Sequence, residues 1–169
     1  LQKNFKMIRF GILTLSDRSS RGEREDESGP ALASFIQGEN CSVTRSIILP
    51  DEESVIRDTL IQWADSGDFD VILTTGSTGF APRDIAPEAT KAVIQKEASG
   101  LAEYMRAESL KKTKHAMLSR AVAGIRGKTL IINLPGSPKG AVENLGFIFP
   151  LLPHAVQLLT DDPNSEKSH

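Results

Sequence analysis

Four short, mostly apolar runs rich in β-branched residues, at 8–15, 43–49, 70–75 and 129–134, alternate with segments whose apolar residues recur at helical spacing. Runs of that length and make-up read as buried strands. Strands separated by helices favour a mostly parallel sheet, because each parallel crossover needs a helix to bring the chain back. The expected fold class is therefore α/β, a three-layer sandwich around a mostly parallel central sheet. No repeat or linker interrupts the pattern from residue 7 to residue 160, which reads as one domain.

The segments between the strands divide by local chemistry. Residues 16–30 are charged and small and end at Gly29-Pro30, which predicts a long loop, followed by a short helix over 31–36. Asp51 stands as an N-cap before Glu52 and Glu53, with Ile56, Leu60, Trp63 and Ala64 at helical offsets behind it. Pro87 suits the first turn of another helix, and Glu88 suits the positive end of its dipole. Further helices are expected over 101–110, 141–149 and 151–159; residues 120–128 fit an antiparallel edge strand without deciding it. Residues 1–6 read as a remnant of cloning or of a linker, since Met7 directly precedes the first strand, and 161–169 as a polar tail.

Composition narrows the class of partner. A net charge of −2 provides no broad cationic field for nucleic acid or an anionic membrane, so neither is an expected partner and any anion site must be local. Hydrophobic residues at 39% and charged residues at 25% are ordinary for a globular chain. The single cysteine, Cys41, and the scattered His115, His154 and His169 make neither a disulfide framework nor a zinc cluster. A reducing, cytoplasmic setting fits. The most apolar tract, 145–159, is interrupted by Pro150, Pro153 and His154 and falls short of the ~20 residues of a membrane span.

In an open parallel sheet, ligands gather beyond the carboxyl ends of the strands. The four exits carry Ser16 and Asp17, then Asp51, then the stretch from Gly76 to Asp84, and last Pro135-Gly136-Ser137-Pro138. The loop Thr74-Thr75-Gly76-Ser77-Thr78-Gly79 offers glycines that let backbone N–H groups face an anion, with hydroxyls as further donors; no Lys-Ser or Lys-Thr follows, so it is not a Walker loop. Asp84 follows Arg83 in a loop stiffened by Pro82 and Pro87, a placement that serves either a metal or an ion pair. A helix cap accounts for Asp51, although capping and metal binding are compatible, and Asp17 fits a solvated loop. Nothing local distinguishes Ser119 or Arg120.

Taken in order, these segments carry a resemblance. Residues 74–90, reading Thr-Thr-Gly-Ser-Thr-Gly-Phe-Ala-Pro-Arg-Asp-Ile-Ala-Pro-Glu-Ala-Thr, resemble the molybdopterin adenylyltransferase family, which includes gephyrin-type G domains. So do Ile12-Leu13-Thr14-Leu15-Ser16-Asp17, Leu49-Pro50-Asp51-Glu52, Met117-Leu118-Ser119-Arg120, and the stretch from Gly124 to Pro135-Gly136-Ser137, over nearly all of 7–159. The resemblance implies a Mog-like molybdopterin-binding fold, usually a homotrimer, that transfers AMP from ATP to the terminal phosphate of molybdopterin with Mg²⁺ and releases pyrophosphate. Position by position, Asp51 and Asp84 look like the family's catalytic, metal-holding aspartates. Thr75, Gly76, Ser77, Thr78 and Gly79 resemble its nucleotide loop, and Ser119 an active-site residue. Ser16, Asp17, Pro135 and Gly136 would line the pocket. Two departures stand out: Ser77 replaces a usual glycine, and Ala86 a usual threonine.

The attacking phosphate monoester has a second pKa of ~6 and is already mostly dianionic near neutral pH, so it needs little general-base help. The larger task is to bring anionic phosphates together in line. Two other roles remain compatible with the sequence: a molybdopterin-binding scaffold in a gephyrin-like protein, and a part of a larger molybdate insertion enzyme.

Overall fold

The computed structural model describes residues 6–38 and 40–160. The expected polar tail, and the N-terminal remnant apart from Lys6, lie outside the described residues. Six strands form the sheet: β1 Ile8–Leu15, β2 Cys41–Leu49, β3 Val71–Thr75, β4 Lys96–Glu97, β5 Ala123–Arg126 and β6 Thr129–Leu134. Their order is β2-β1-β3-β6-β5-β4. The first four are parallel neighbours, and β5 and β4 add an antiparallel edge. The helices are α1 Asp17–Ser20, α2 Ser28–Ile36, α3 Glu53–Asp65, α4 Ala86–Val93, α5 Ser99–Leu110, α6 Pro138–Ile148 and α7 Leu152–Leu159. Two 3₁₀ turns occupy Lys114–Leu118 and Phe149–Leu151.

Both faces of the sheet are covered, which explains why the strands read as continuous apolar runs rather than alternating ones. Phe10, Ile12, Leu73, Ile132 and Leu134 pack with Leu32 and Ile36 of α2, Met105 of α5, Leu145 and Ile148 of α6, and Leu152 and Val156 of α7. Leu13, Leu15, Ile72 and Ile131 turn to the opposite side, against Ile56, Leu60 and Trp63 of α3 and Ala86, Ala89 and Val93 of α4. Each fully buried large aliphatic side chain contributes about 1.5–3 kcal/mol. The three-layer α/β expectation holds.

Asn133 is the polar centre of this core. Its Nδ2 donates to Thr74 Oγ1 and Thr90 Oγ1, both at 2.9 Å, and its Oδ1 accepts from the Val122 amide at 3.2 Å. One fully buried amide thus joins β6, β3, α4 and the approach to β5.

Several local expectations are corrected. The stretch read as a long loop holds α1 and the first turn of α2: Ser16 Oγ caps α1 by accepting from the Ser19 amide, and Pro30 sits early in α2, where its missing N–H costs nothing. Asp51 is not an N-cap. That position of α3 falls to Glu52, which makes no side-chain cap bond, because Asp51 is drawn across the sheet end toward β1's exit. The edge strand suspected within 120–128 exists as β5, and β4, two residues long, carries no periodic signal that could reveal it. The run Pro138–Leu159 is long and apolar enough by composition to cross a membrane. It is broken by the 3₁₀ turn at Phe149–Leu151 and sends Leu145, Ile148, Leu152 and Val156 into the core, as a core helix does.

Candidate active site

The parallel strands end at one edge, and backbone bonds tie their exits together. The Ser16 amide donates to Leu49 O at 2.9 Å, and the Gly76 amide to Leu134 O at 3.1 Å. Gly76 has φ +98, and a Cβ there would lie 2.5 Å from Leu15 O; Gly136 packs closely on the other side, where a Cβ would sit 3.2 Å from Gly76 Cα. Backbones approach at this point with no room for side chains. Thr75 Oγ1 donates to Pro135 O at 2.6 Å, and Ser28 Oγ to Gly136 O at 2.5 Å, so α2, β3 and the β6 exit meet around the same bend.

Two cavities open beside it and share Ser137. The first, about 350 Å³, is lined by Ser16, Asp51, Thr75, Gly76, Ser77, Asp84 and Gly136, with Arg24, Glu25, Asp26 and Glu27 from the segment before α2. The second, about 450 Å³, takes in Thr78, Gly79, Ser119 and Pro135. Its walls are more apolar, with Phe80, Met105 and Leu118, and it carries Arg106 together with Lys112 and Glu143, which pair at 3.3 Å. Of the site residues expected from the sequence, only Asp17 lines neither cavity.

Asp17 is nonetheless built into the site. The Asp17 amide donates to Asp51 Oδ2, and the Asp51 amide to Asp17 Oδ1, both at 3.0 Å. The Arg83 guanidinium donates to both carboxylate oxygens of Asp17, and this bonding holds Asp17's pKa below the usual carboxylate range despite some opposing desolvation. Asp51 Oδ1 is left buried with no donor among the described residues. A buried carboxylate oxygen without a partner is costly, and the cost is removed by a cation or a ligand donor.

Asp84 Oδ2 accepts from the Ala81 amide at 3.0 Å, which seats its carboxylate against Gly79, where a Cβ would lie 2.9 Å from that oxygen. Ser77 adopts φ 60, a backbone that favours glycine, which explains why a glycine suits this position. Its hydroxyl faces the neighbouring loop, accepting from the Ile85 amide at 2.9 Å and donating to Arg83 O at 3.3 Å. The amides of Ser77, Thr78 and Gly79 find no acceptor among the described residues, while the Gly76 amide is spent on Leu134.

Sequence reasoning passed over Asp26 and Arg106. Asp26 accepts from Thr14 Oγ1 and from the amide of Gly29 in the first turn of α2, beside the first cavity; its setting in a charged stretch hid it. Arg106 donates to Ser119 O and Ala121 O and has no carboxylate partner among the described residues. No local signal marks it.

Asp51 and Asp84, which both line the first cavity, are the residues that could hold a hard divalent cation there. Among the described residues no group of three or more metal-ligating side chains forms a complete cage. Two carboxylates, one with an orphaned buried oxygen, fit Mg²⁺, which is commonly held by one or two carboxylates together with substrate phosphates and water.

Comparison with known proteins gives a consistent family. A family described as "Probable molybdopterin binding domain" matches residues 11–154. Molybdenum cofactor synthesis protein cinnamon of Drosophila melanogaster is 49% identical over 157 residues, covering 92% of this chain and 26% of the fly protein. The chain thus spans about a quarter of that relative's length. A molybdopterin adenylyltransferase of Helicobacter pylori is 46% identical over 154 residues, covering 90% of this chain and 88% of its own. The crystal structure of the molybdopterin biosynthesis enzyme MoaB from Thermus thermophilus superimposes with a TM-score of 0.87 at 51% identity, over 93% of this chain and 99% of that one.

Proposed function

Since this chain belongs to the molybdopterin-binding domain family, we propose that it is a molybdopterin adenylyltransferase, transferring AMP from ATP to the terminal phosphate of molybdopterin with release of pyrophosphate. The observation that carries this reading is the pair of cavities joined at Ser137, one acidic with an unpartnered Asp51 oxygen and one wider and more apolar. The likeness over 88% of the Helicobacter adenylyltransferase supports it.

The first cavity suits the polyphosphate. Glu25, Asp26, Glu27, Asp51 and Asp84 line it with Arg24, a balance that repels ATP unless a cation enters with it. Asp51 and Asp84 would hold that cation. Bound there, Mg²⁺ supplies charge neutralisation for the polyphosphate and for the pyrophosphate leaving group. The unpaired amides of Ser77, Thr78 and Gly79 lie at the junction of the cavities and serve as donors to phosphate oxygens. The second cavity suits the pterin: apolar walls for a flat ring system, Asn144 and Ser119 for its polar edges, and Arg106, which has no carboxylate partner among the described residues, for its phosphate.

In the transfer, a terminal phosphate oxygen of molybdopterin forms a bond to the α-phosphorus of ATP. The bond from that phosphorus to the bridging oxygen breaks, and pyrophosphate leaves with the electron pair. The protein's own share is positioning: it holds the two anions at adjoining cavities and orients them through fixed amides. The homotrimer expected from the resemblance and the cytoplasmic setting read from the lone cysteine belong to this same reading.

The test is pyrophosphate release on mixing the chain with ATP, Mg²⁺ and molybdopterin. Asp51→Asn and Asp84→Asn are each expected to slow it at least a hundredfold, about the loss of a key electrostatic contact, with the fold intact by circular dichroism. Retention of full turnover by both variants sinks the assignment. A second reading, a binding module within a longer protein, is favoured by the fly relative's roughly fourfold greater length. Molybdopterin binding without pyrophosphate release would select it.

A further inference from the structure

Arg120 lines neither of the two cavities of the site, yet it reaches the loop that carries Asp84 at both ends. Its backbone amide donates to Thr78 O at 2.9 Å. Its Nε donates to Gly79 O at 2.8 Å, and its Nη2 to Asp84 O at 2.7 Å. Glu88, at the start of α4, holds the remaining arm of the guanidinium through Nη1. Residues 79 and 84, the limits of the loop, are thus bonded to one rigid planar group.

Between those limits lies the turn that aims the carboxylate. The Asp84 amide donates to Ala81 O at 2.9 Å, and the Ala81 amide returns a bond to Asp84 Oδ2 at 3.0 Å. Ala81, Pro82 and Arg83 are exposed and contribute little packing, so burial alone does not hold the turn. An arginine fork with its geometry preset can tie two carbonyls at once; a lysine ammonium, a point donor on a flexible stem, cannot reproduce that arrangement.

We propose that Arg120 is a positioning residue for the AMP-transfer step, clamping the Gly79 and Asp84 carbonyls so that the Asp84 carboxylate is fixed at the wall of the acidic cavity. The proposal rests on the adenylyltransferase reading for its catalytic consequence and on the hydrogen bonds alone for the clamp. Arg120 also continues directly from Ser119, whose carbonyl is held by Arg106. The segment that contributes to the wider cavity therefore orders the wall of the other.

The test uses the full chain with Arg120→Lys, Glu88→Gln, Asp84→Asn and the double variant Arg120→Lys/Asp84→Asn. Amide hydrogen exchange at Ala81 reads the clamp without metal, nucleotide or turnover. Arg120→Lys is expected to speed Ala81 exchange at least tenfold while the amides of β3 stay protected. Glu88→Gln, which leaves both carbonyl bonds in place, is expected to change Ala81 exchange less than twofold. In the transfer assay, Arg120→Lys is expected to raise the half-saturating Mg²⁺ concentration several-fold and lower kcat, with KM for molybdopterin nearly unchanged. The double variant is expected to be no slower than Asp84→Asn alone, because a clamp acting through Asp84 has nothing left to place. Unchanged Ala81 exchange in Arg120→Lys overturns the clamp, and multiplying losses in the double variant overturn action through Asp84. If the unaltered chain transfers no AMP, the adenylyltransferase reading falls, and the catalytic role of Arg120 with it.

Discussion

Asp17 and Asp51 hold each other by reciprocal bonds, each carboxylate accepting from the other's backbone amide at 3.0 Å. Two acids 34 positions apart are thereby oriented by amides rather than by direct contact between like charges. The arrangement consumes Asp51 Oδ2 and leaves Oδ1 as the orphaned oxygen.

Asp17→Ala removes the acceptor for the Asp51 amide and takes from Arg83 its carboxylate partner, leaving its bond to Asp51 O. The expected loss is about 1–2 kcal/mol of stability, together with a roughly tenfold fall in AMP transfer as Asp51 loses its fixed orientation. Asp17→Asn keeps an acceptor oxygen and is expected to lose less on both counts. Urea denaturation and steady-state kinetics measure the two effects, and equal losses in the two variants contradict this account.

Ser77 and Gly76 respond differently to replacement. Ser77→Gly relieves a strained φ but gives up the bond from the Ile85 amide, and these terms, each about 1 kcal/mol, nearly cancel. Ser77→Ala keeps the strain and loses the bond, so it is expected to be less stable than Ser77→Gly by about 1 kcal/mol. Gly76→Ala meets both a positive φ and the Leu15 carbonyl, at a cost on the order of 3 kcal/mol. The order of melting temperatures checks all three.

Asn133→Leu places an apolar group of similar size where Thr74, Thr90 and the Val122 amide need partners. The expected cost is about 2–4 kcal/mol, since the Thr74 and Thr90 hydroxyls remain buried. Pairing it with Thr90→Val recovers part of that loss by removing one stranded hydroxyl. A double variant as unstable as the sum of the two singles counts against a shared network.

Acid weakens the fold through carboxylates that arginines keep ionised, Asp17 and Glu88 among them. Bonding from Arg83 lowers the pKa of Asp17, and bonding from Arg120 lowers that of Glu88, against partial desolvation in each case. A group whose folded pKa is depressed contributes stability that is complete above its unfolded value, about 4, and is lost as pH falls through the folded value. The melting temperature is therefore expected to drop below about pH 4, and Glu88→Gln to flatten part of the drop. Both groups are solvent-accessible, so the effect is small and shrinks with salt. Curves for wild type and Glu88→Gln that remain parallel down to about pH 3 contradict the assignment.

Much of the fold and site was legible because it depends on short-range pattern. Apolar runs such as 70–75 and 129–134 can hardly be anything but strands buried on both faces, and Pro87 before an apolar stripe marks α4. Ser16, Asp51, Gly76, Asp84 and Gly136 could be nominated together because parallel strands put their exits on one edge. Asp51 reads as a cap for the same reason that makes it noticeable: an aspartate before two glutamates looks like a helix start, and only the neighbouring strand's exit draws its carboxylate away. Two-residue β4 and four-residue α1 are too short to leave a periodic trace.

By itself, the sequence determined the layers, the parallel connections and the edge on which the chemistry sits, because hydrophobic period and crossover geometry act along the chain. Only the tertiary structure decided which oxygen of Asp51 stays unpaired, that Asp17 serves the site from outside the cavities, and that Arg120 and Arg106 hold backbone carbonyls. Those outcomes turn on hydrogen bonds between groups 13 to 41 positions apart. Their geometry is set by how the strand exits converge, and no local pattern encodes it.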